Sequence, residues 1–343
     1  MIKTIIAGPC SVESRDQLRQ VTAALAAMPR VTLLRAGVWK PRTRPGGFEG
    51  LGEPALRWMQ ELSAEYGVNY CCEVAKPEHV SLCQRYGVRT VWIGARTTGN
   101  PFMVEELCSA LSGSGMTVLV KNPTSPDVRL WIGAIERLRQ CGINDICAVH
   151  RGFAMYHNRG YRNEPLWEVP MTLRREMPDV PLICDPSHIG GSRDLVAPLA
   201  HTAEQFDYDG LMVEVHPDPD AALTDAPQQL TPAAFADILY HLSPLTSHLS
   251  PFTSQSLDPL RRQIDEIDHE LLSLLARRME MSRQISYIKR DLQLPVYQSA
   301  RWSDVLDDRL AQAESLGLDA DFVRALLEKI HAESIRVQLA DKS

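Results

Sequence analysis

No apolar run in this 343-residue chain approaches the roughly 20 residues that a bilayer crossing needs. The amino terminus, Met1-Ile-Lys-Thr-Ile-Ile-Ala-Gly-Pro9, passes from a short apolar patch straight into Cys10 and charged residues, which is not a signal-peptide pattern. These two absences predict a cytoplasmic protein with no membrane partner. Among eight cysteines there is no C-x-x-C pair, so neither a zinc ribbon nor a thioredoxin-type motif is encoded. Most of the eight lie in apolar runs as small buried hydrophobes; Cys10, after Gly8-Pro9, is placed where a thiolate could act. No G-x-G-x-x-G follows the first apolar run, which leaves a dinucleotide-binding open sheet without its main signature. An excess of positive charge is also lacking: the formal charge is -7, which disfavours nucleic acid as a partner.

What is present is an ordinary globular composition, 44% hydrophobic and 23% charged, in a chain long enough for two domains. Short β-branched runs alternate with amphipathic stretches from residue 4 to about 242. The runs are Thr4 to Ala7, Thr32 to Ala36, Tyr70 to Val74, Thr90 to Ala95, Thr117 to Lys121, Asp145 to His150, Pro181 to Asp185 and Gly210 to His216. Each is followed by a helix-like stretch, except that the link after Glu73 reads as short. Continuous apolar strands separated by helices predict a parallel sheet covered on its faces, and eight such units predict a closed (β/α)8 TIM barrel. An open doubly wound sheet is the alternative.

Past the successive runs stand Cys10; Lys40 and Arg42; Glu73; Arg96; Lys121; Arg151; His188; then Glu214 with Asp225. In a barrel the carboxyl ends of all strands face one mouth, so these side chains should converge there. Two chemistries separate within the ring. Arg35, Lys40, Arg42, Arg96, Lys121 and Arg151 suit phosphate and carboxylate. Cys10, His188, Glu214 and Asp225 suit a divalent transition metal with an open position for substrate. The same residues taken singly also fit plainer roles: a surface charge, a helix cap in Asp-Pro-Ser-His, a salt bridge at Glu214.

Ala7-Gly-Pro-Cys-Ser-Val-Glu13, Arg35-Ala-Gly-Val-Trp-Lys-Pro-Arg-Thr43, Ile93-Gly-Ala-Arg96, Asp185-Pro-Ser-His188 and Glu214-Val-His-Pro-Asp-Pro219 together resemble 3-deoxy-D-arabino-heptulosonate 7-phosphate (DAHP) synthase of the short type I beta subgroup. The resemblance spans the first 242 residues. It implies a metal held by Cys10, His188, Glu214 and Asp225, manganese first, with iron, cobalt or zinc as alternatives. It implies phosphoenolpyruvate (PEP) on Arg96, Lys121 and Arg151, with Arg35 and Lys40 near its carboxylate and Glu73 near its bridging end. Arg42 and Thr43 would take the phosphate of erythrose 4-phosphate; Arg44 stands where serine is common. Lys40 is expected to shuttle a proton, its pKa lowered by neighbouring cations. The related 3-deoxy-D-manno-octulosonate 8-phosphate synthases share the barrel and the PEP site, but usually read Lys-Ala-Asn-Arg where this chain has Lys-Pro-Arg-Thr, so Pro41 and Arg42 favour the heptulosonate family. A barrel starting at residue 4 leaves no room for the N-terminal regulatory domain of many relatives.

Residues 243–256 are rich in Ser, Thr and Pro and uncharged, as a linker should be; Leu249 and Phe252 are its candidate docking residues. From 257 to 343 the period becomes helical. Leu257, Leu260, Ile264, Ile267, Leu271, Leu274, Met281, Ile285 and Ile288 form an apolar seam interrupted by Arg278, on a helix bounded by Pro295. Two further helices are predicted over 299–316 and 320–341. A plain helical dimerisation module is one reading. The stretch from Leu257 to Ala340 also resembles the all-helical type of chorismate mutase, which implies that Arg261, Arg278, Lys289, Arg301, Ser334 and Gln338 contact chorismate. Gln298 and Trp302 depart from that family's aspartate and glutamate. Arg261 and Lys289 are 28 residues apart, about 42 Å along a helix, so if both serve active sites, they serve different ones. Together with the resemblance, this implies an antiparallel homodimer through the helical domain. Lys289 and Gln338 would stabilise charge on the breaking ether bond. The joint expectation is a bifunctional enzyme of aromatic biosynthesis, with prephenate as a feedback inhibitor acting through the helical domain; a helical domain that only senses ligand is the competing expectation.

Overall fold

The computed structural model describes residues 2–40, 46–156, 160–242 and 254–340, with the side chains of 254–256 left aside. Chain contacts divide the molecule into two compact units, Met1–Ser247 and His248–Ser343.

The first unit is a closed parallel barrel in sequence order. Its strands are β1 (Thr4–Gly8), β2 (Leu33–Arg35), β3 (Tyr70–Val74), β4 (Thr90–Ile93), β5 (Thr117–Lys121), β6 (Ile146–His150), β7 (Leu182–Cys184) and β8 (Gly210–Glu214). Helices α1 (Arg15–Ala26), α2 (Glu53–Tyr66), α3 (Pro77–Arg85), α4 (Ala95–Thr98), α5 (Pro101–Leu111), α6 (Val128–Gln140), α7 (Glu168–Glu176), α8 (Pro186–Gly190), α9 (Arg193–Gln205) and α10 (Pro232–His241) fill the links. The strands are apolar on both faces because the barrel interior and the helical ring each cover one of them. Ile5, Ile6, Val91, Ile93, Val118, Val120, Leu211 and Val213 are all fully or almost fully buried.

The link after Glu73 is not short. It holds the nine-residue α3, started by Pro77, anchored by buried Val80 and Cys83, and followed by Gly87 at φ +75°. Most strands are trimmed at their ends; β2, β4, β7 and β8 stop before Ala36, Ala95, Asp185 and His216 because the chain turns there to face the mouth. Closure pairs β1 with β8 from Thr4↔Gly210 to Gly8↔Glu214. Gly8 is obligatory at that end: a Cβ would lie 2.1 Å from the carbonyl oxygen of Arg35.

The second unit has three helices, α11 (Ser254–Asp291), α12 (Ser299–Ser315) and α13 (Ala320–Ala340), with α13 packed on both others. Helix α11 starts at Ser254, inside the stretch expected to be linker; the remainder of that stretch, with Leu249 and Phe252, lies outside the described residues. The interior face carries Leu306, Ala313, Val337, Ser282, Ser286, Ser334 and Gln338. The nine seam residues of α11 are each 44% to 58% exposed, so this chain alone does not cover them. Arg278 leaves the seam for α13, where its guanidinium donates to the Ser334 hydroxyl. No helix among the described residues is long and apolar enough to cross a membrane.

Candidate active site

The carboxyl ends of the strands bring most of the sequence ring together. Cys10 Sγ, a Glu214 oxygen and an Asp225 oxygen lie within 4.8 Å of one another, the closest group of metal-type ligand atoms among the described residues. Cys10 follows β1, Glu214 ends β8, and Asp225 sits in the loop beyond it in the left-handed region, φ +48°. Cys10 Sγ is 3.1 Å from Asp225 Oδ2 and receives Lys40 Nζ at 2.9 Å. His188 lies outside that tight group, but its Nε2 stands 3.7 Å from Glu214 Oε1. Its Nδ1 is turned to Asp185, 3.0 Å from Oδ1 and 2.8 Å from Oδ2, while the same carboxylate caps α8 by accepting from His188 N. A carboxylate behind an imidazole fixes which nitrogen faces the site, as in metal-binding histidines.

The cations surround this cluster. Arg35 is buried, with NH2 2.9 Å from Glu214 Oε1. That contact is close but too poorly aligned for a hydrogen bond, and Glu214 Oε1 with Arg35 Nε and NH1 remain buried polar atoms without hydrogen-bond partners. Lys121 Nζ donates to Asp185 Oδ2 at 2.8 Å. The indole of Trp92 lies under both cations, 5.1 Å from the Arg35 guanidinium carbon and 5.7 Å from Lys121 Nζ. Glu73 accepts from Trp92 Nε1 at 3.1 Å. Arg151 donates to Asn163 Oδ1 at 2.7 Å and feels both Arg96 and Arg162. Arg96 is on the exposed side of α4. Arg42 and Thr43 lie outside the described residues.

Electrostatics corrects one expectation. Lys40 was expected to have its pKa lowered by other cations. Burial does act that way, but Cys10, Glu214 and Asp225 outweigh it and hold the ammonium above its ordinary value. Lys40 is therefore a fixed charge in this arrangement. Burial works against an ionised Asp185, yet His188 and Lys121 hold its carboxyl well below the usual range. Burial and the adjacent Glu214 push the Cys10 thiol up to about 12. Burial brings Arg151 down to about 10, still charged at neutral pH.

Sequence reading passed over Asp185 as a side-chain partner, along with Trp92, Asn163 and Arg162. Asp185 stands directly past β7 and could have been found by the strand-end rule. Arg162, which reaches Asp225 Oδ1 at 3.0 Å from a loop, carries no such signal.

In the second unit, Arg278 and Lys289 lie about three turns apart on α11, and Ser334 and Gln338 about one turn apart on α13. Lys289 Nζ donates to Val296 O at 2.6 Å, and Gln338 Oε1 is buried without a partner. Trp302 stacks on His331, ring centroids 3.9 Å apart. Arg261 is exposed and pairs only loosely with Asp258, at 3.6 Å; Arg301 is exposed on α12. The structure does not bring Arg261 to the Lys289 end, since one continuous helix carries both.

The fold and this mouth define a TIM barrel whose polar site lies at the carboxyl ends of the strands, followed by a separate helical unit. Residues 3–250 match the model of the DAHP synthetase I family, and the chain belongs to that family. Residues 260–339 match the model of chorismate mutase type II, so the chain joins a DAHP synthase domain to a chorismate mutase domain. A phospho-2-dehydro-3-deoxyheptonate aldolase of Thermotoga maritima is 33% identical over 242 residues, covering 71% of this chain and 69% of that protein. The crystal structure of the Thermotoga maritima DAHP synthase superposes with a TM-score of 0.63 over 70% of this chain and 68% of that one, at 33% identity. A 2-dehydro-3-deoxyphosphooctonate aldolase of Haemophilus ducreyi is 27% identical over 66% of this chain and 82% of its own length. The helical part is 37% identical over 78 residues to the T-protein of Enterobacter agglomerans, 23% of this chain and 21% of that protein.

Proposed function

We propose that the barrel condenses PEP with erythrose 4-phosphate to give DAHP and phosphate, and that the helical unit rearranges chorismate to prephenate. The observation that carries the first half is the clustering of Cys10, Glu214 and Asp225 beside the buried cations Arg35 and Lys121 and the half-buried Lys40 in a chain of this family.

The donors fit a divalent ion. A thiol and two carboxylates converge, Glu214 Oε1 is buried without a hydrogen-bond partner, and an Asp185-oriented imidazole faces the same oxygen. Cys10, His188, Glu214 and Asp225 would hold it, with manganese our first choice for the oxygen-rich set and iron, cobalt or zinc the alternatives. When bound, such an ion supplies Lewis-acid polarisation of an aldehyde oxygen. The chain's own residues do the rest. The unpaired guanidinium nitrogens of Arg35 leave donors for the PEP carboxylate. Lys121, Arg96 and Arg151 hold its phosphate, and Glu73 stands near the bridging end. Arg42 and Thr43 are assigned the aldose phosphate by their motif. Lys40, kept charged, serves as a cation near the PEP carboxylate. C3 of PEP bonds to the aldehyde carbon, water adds at C2, and phosphate leaves; two mutually repelling substrates share one pocket because the cations prepay that repulsion.

The heptulosonate reading is favoured over the octulosonate one by Lys40-Pro-Arg-Thr43. Assaying the purified full chain with PEP and either erythrose 4-phosphate or arabinose 5-phosphate tests it, and preference for the pentose would overturn it.

For the helical unit, Arg278 and Lys289 with Arg301, Ser334 and Gln338 suit a dicarboxylate, and Arg261 of a second chain completes the site. The uncovered seam of α11 supports an antiparallel homodimer. Chorismate consumption by the full chain tests this half. Prephenate is our candidate feedback inhibitor; synthase activity indifferent to saturating prephenate would sink that role.

A further inference from the structure

On α13, His331, Ser334 and Gln338 are spaced three and four residues apart and therefore share one face. Nε2 of His331 and Oε1 of Gln338 on that face are buried with no hydrogen-bond partner. Unpaired buried polar atoms are costly and uncommon in folded proteins, and at a cleft they indicate an occupant. The His331 ring is not free to turn away. It lies flat on Trp302 of α12, centroids 3.9 Å apart and planes 9° from parallel, with Tyr297 at 5.9 Å. Two cations are near enough to act on the ring, Arg278, which donates to the Ser334 hydroxyl, and Lys289, which donates to Val296 O. Burial, then Arg278 and Lys289, lower the pKa of the His331 ring. A neutral imidazole offers one donor and one acceptor and no charge, so it complements a hydroxyl and leaves carboxylates to the cations.

We propose that His331 is a specificity-determining substrate contact: its Nε2, held in place by the Trp302 stack, hydrogen-bonds the ring hydroxyl of the chorismate-class dicarboxylate. This rests on the mutase reading above. That ligand class carries two carboxylates, an ether oxygen and one secondary hydroxyl. The arginines account for the carboxylates, Lys289 and Gln338 for the ether oxygen, and the hydroxyl is left facing the one ring nitrogen of this face without a partner.

The test uses the full-length protein with chorismate and 4-deoxychorismate as substrates, in wild type, His331→Leu and His331→Gln. In wild type the hydroxyl should raise kcat/KM, and His331→Leu should reduce turnover of chorismate about tenfold to a hundredfold while leaving 4-deoxychorismate within about twofold, an interval set by the cost of a lost buried hydrogen bond. His331→Gln, whose amide reaches toward the same place, should recover part of the discrimination. Equal losses on both substrates would reduce His331 to a packing residue and overturn the proposal, as would no loss on either. If wild type turns over neither substrate, the ratio is read from binding of prephenate and its deoxy analogue. Failure of wild type to bind prephenate at all would remove the mutase reading itself, and this inference with it.

Discussion

Lys121 Nζ, at the end of β5, and Asp185 Oδ2, just past β7, meet at 2.8 Å, with side chains 6% and 0% exposed. The other function of this carboxylate is to hold His188 Nδ1, so one buried Asp aligns both a cation of the proposed PEP site and an imidazole of the proposed metal cluster. Replacing Asp185 by Asn keeps the shape and removes the charge. We expect synthase activity and metal affinity to fall about 10- to 100-fold, the usual cost of losing such an orienting partner, with chorismate turnover unchanged. Metal titration and steady-state assays on one preparation check it; synthase kinetics within twofold of wild type would refute the coupling.

Glu73 is kept in place by what is missing from Gly94. A Cβ there would lie 2.3 Å from Glu73 Oε1 and 3.0 Å from its Cδ, and Trp92 Nε1 holds the other oxygen. Gly94→Ala should therefore destabilise the barrel by about 1–3 kcal/mol through overpacking and raise KM for PEP. Because the clash is with a side chain, most of the stability cost should vanish in a Glu73→Ala background. Urea unfolding of the four proteins in this cycle decides; additive losses would mean that the methyl group strains the backbone instead.

How far the sequence revealed these relationships depends on what each one rests on. Continuous apolar runs such as Thr117 to Lys121 announce a strand buried on both faces, and strand ends announce a mouth, so the barrel and the convergence of Cys10, Glu214 and Asp225 could be read directly. Lys40 could not. Its neighbours in sequence, Arg35 and Arg42, are cations, but in space its ammonium touches Cys10 Sγ, and the sign of its pKa shift follows from space. Trp92 under two cations and Gly94 against Glu73 are cross-strand facts that no local pattern carries. In α11 the apolar period was legible, while the turn of Arg278 toward Ser334 needed the position of α13.

His150 supplies a pH-dependent element away from the proposed metal cluster. Its ring is fully buried, with Nε2 2.7 Å from Pro165 O and Nδ1 2.9 Å from Tyr208 OH, and burial brings its pKa down to about 3. The folded state holds it neutral, whereas the unfolded chain takes up a proton below about 6.5. The unfolded state thus binds more protons, and stability falls as pH drops from about 6.5 toward the folded value, by up to about 1.4 kcal/mol per pH unit. Denaturant midpoints of the barrel between pH 7.5 and 5, wild type against His150→Gln, should diverge with the wild type losing more. Parallel pH dependences would refute the assignment.

The proposed metal gives a prediction that separates the two units. Exhaustive chelation should abolish condensation of PEP with erythrose 4-phosphate and leave chorismate turnover intact, since among the described residues the metal-type cluster lies in the barrel. Readdition of manganese should restore activity as about one ion per chain binds. Cys10→Ala should bind the ion more weakly by direct metal analysis, whatever its residual turnover. Full synthase activity in a protein shown to be metal-free would remove the ion from the reaction.

The proposed homodimer makes the most specific prediction for the helical unit. Arg261 and Lys289 lie on one continuous helix, 28 residues apart and about 42 Å by helical rise, so if Arg261 serves the proposed site of Lys289 and Arg278, it comes from another chain. Arg261→Ala and Arg278→Ala should each eliminate most chorismate turnover in isolation. In a mixture of the two, exchanged at random, half of the dimers are hybrids, and a hybrid of two-fold symmetric design has one doubly altered site and one intact site, which restores about a quarter of wild-type activity. Introducing Ile264→Asp, in the uncovered seam, should yield monomers by light scattering and forbid this rescue while the barrel still makes DAHP. Mixtures that stay as inactive as their components, under conditions where subunit exchange is demonstrated, would show that each chain builds its site alone.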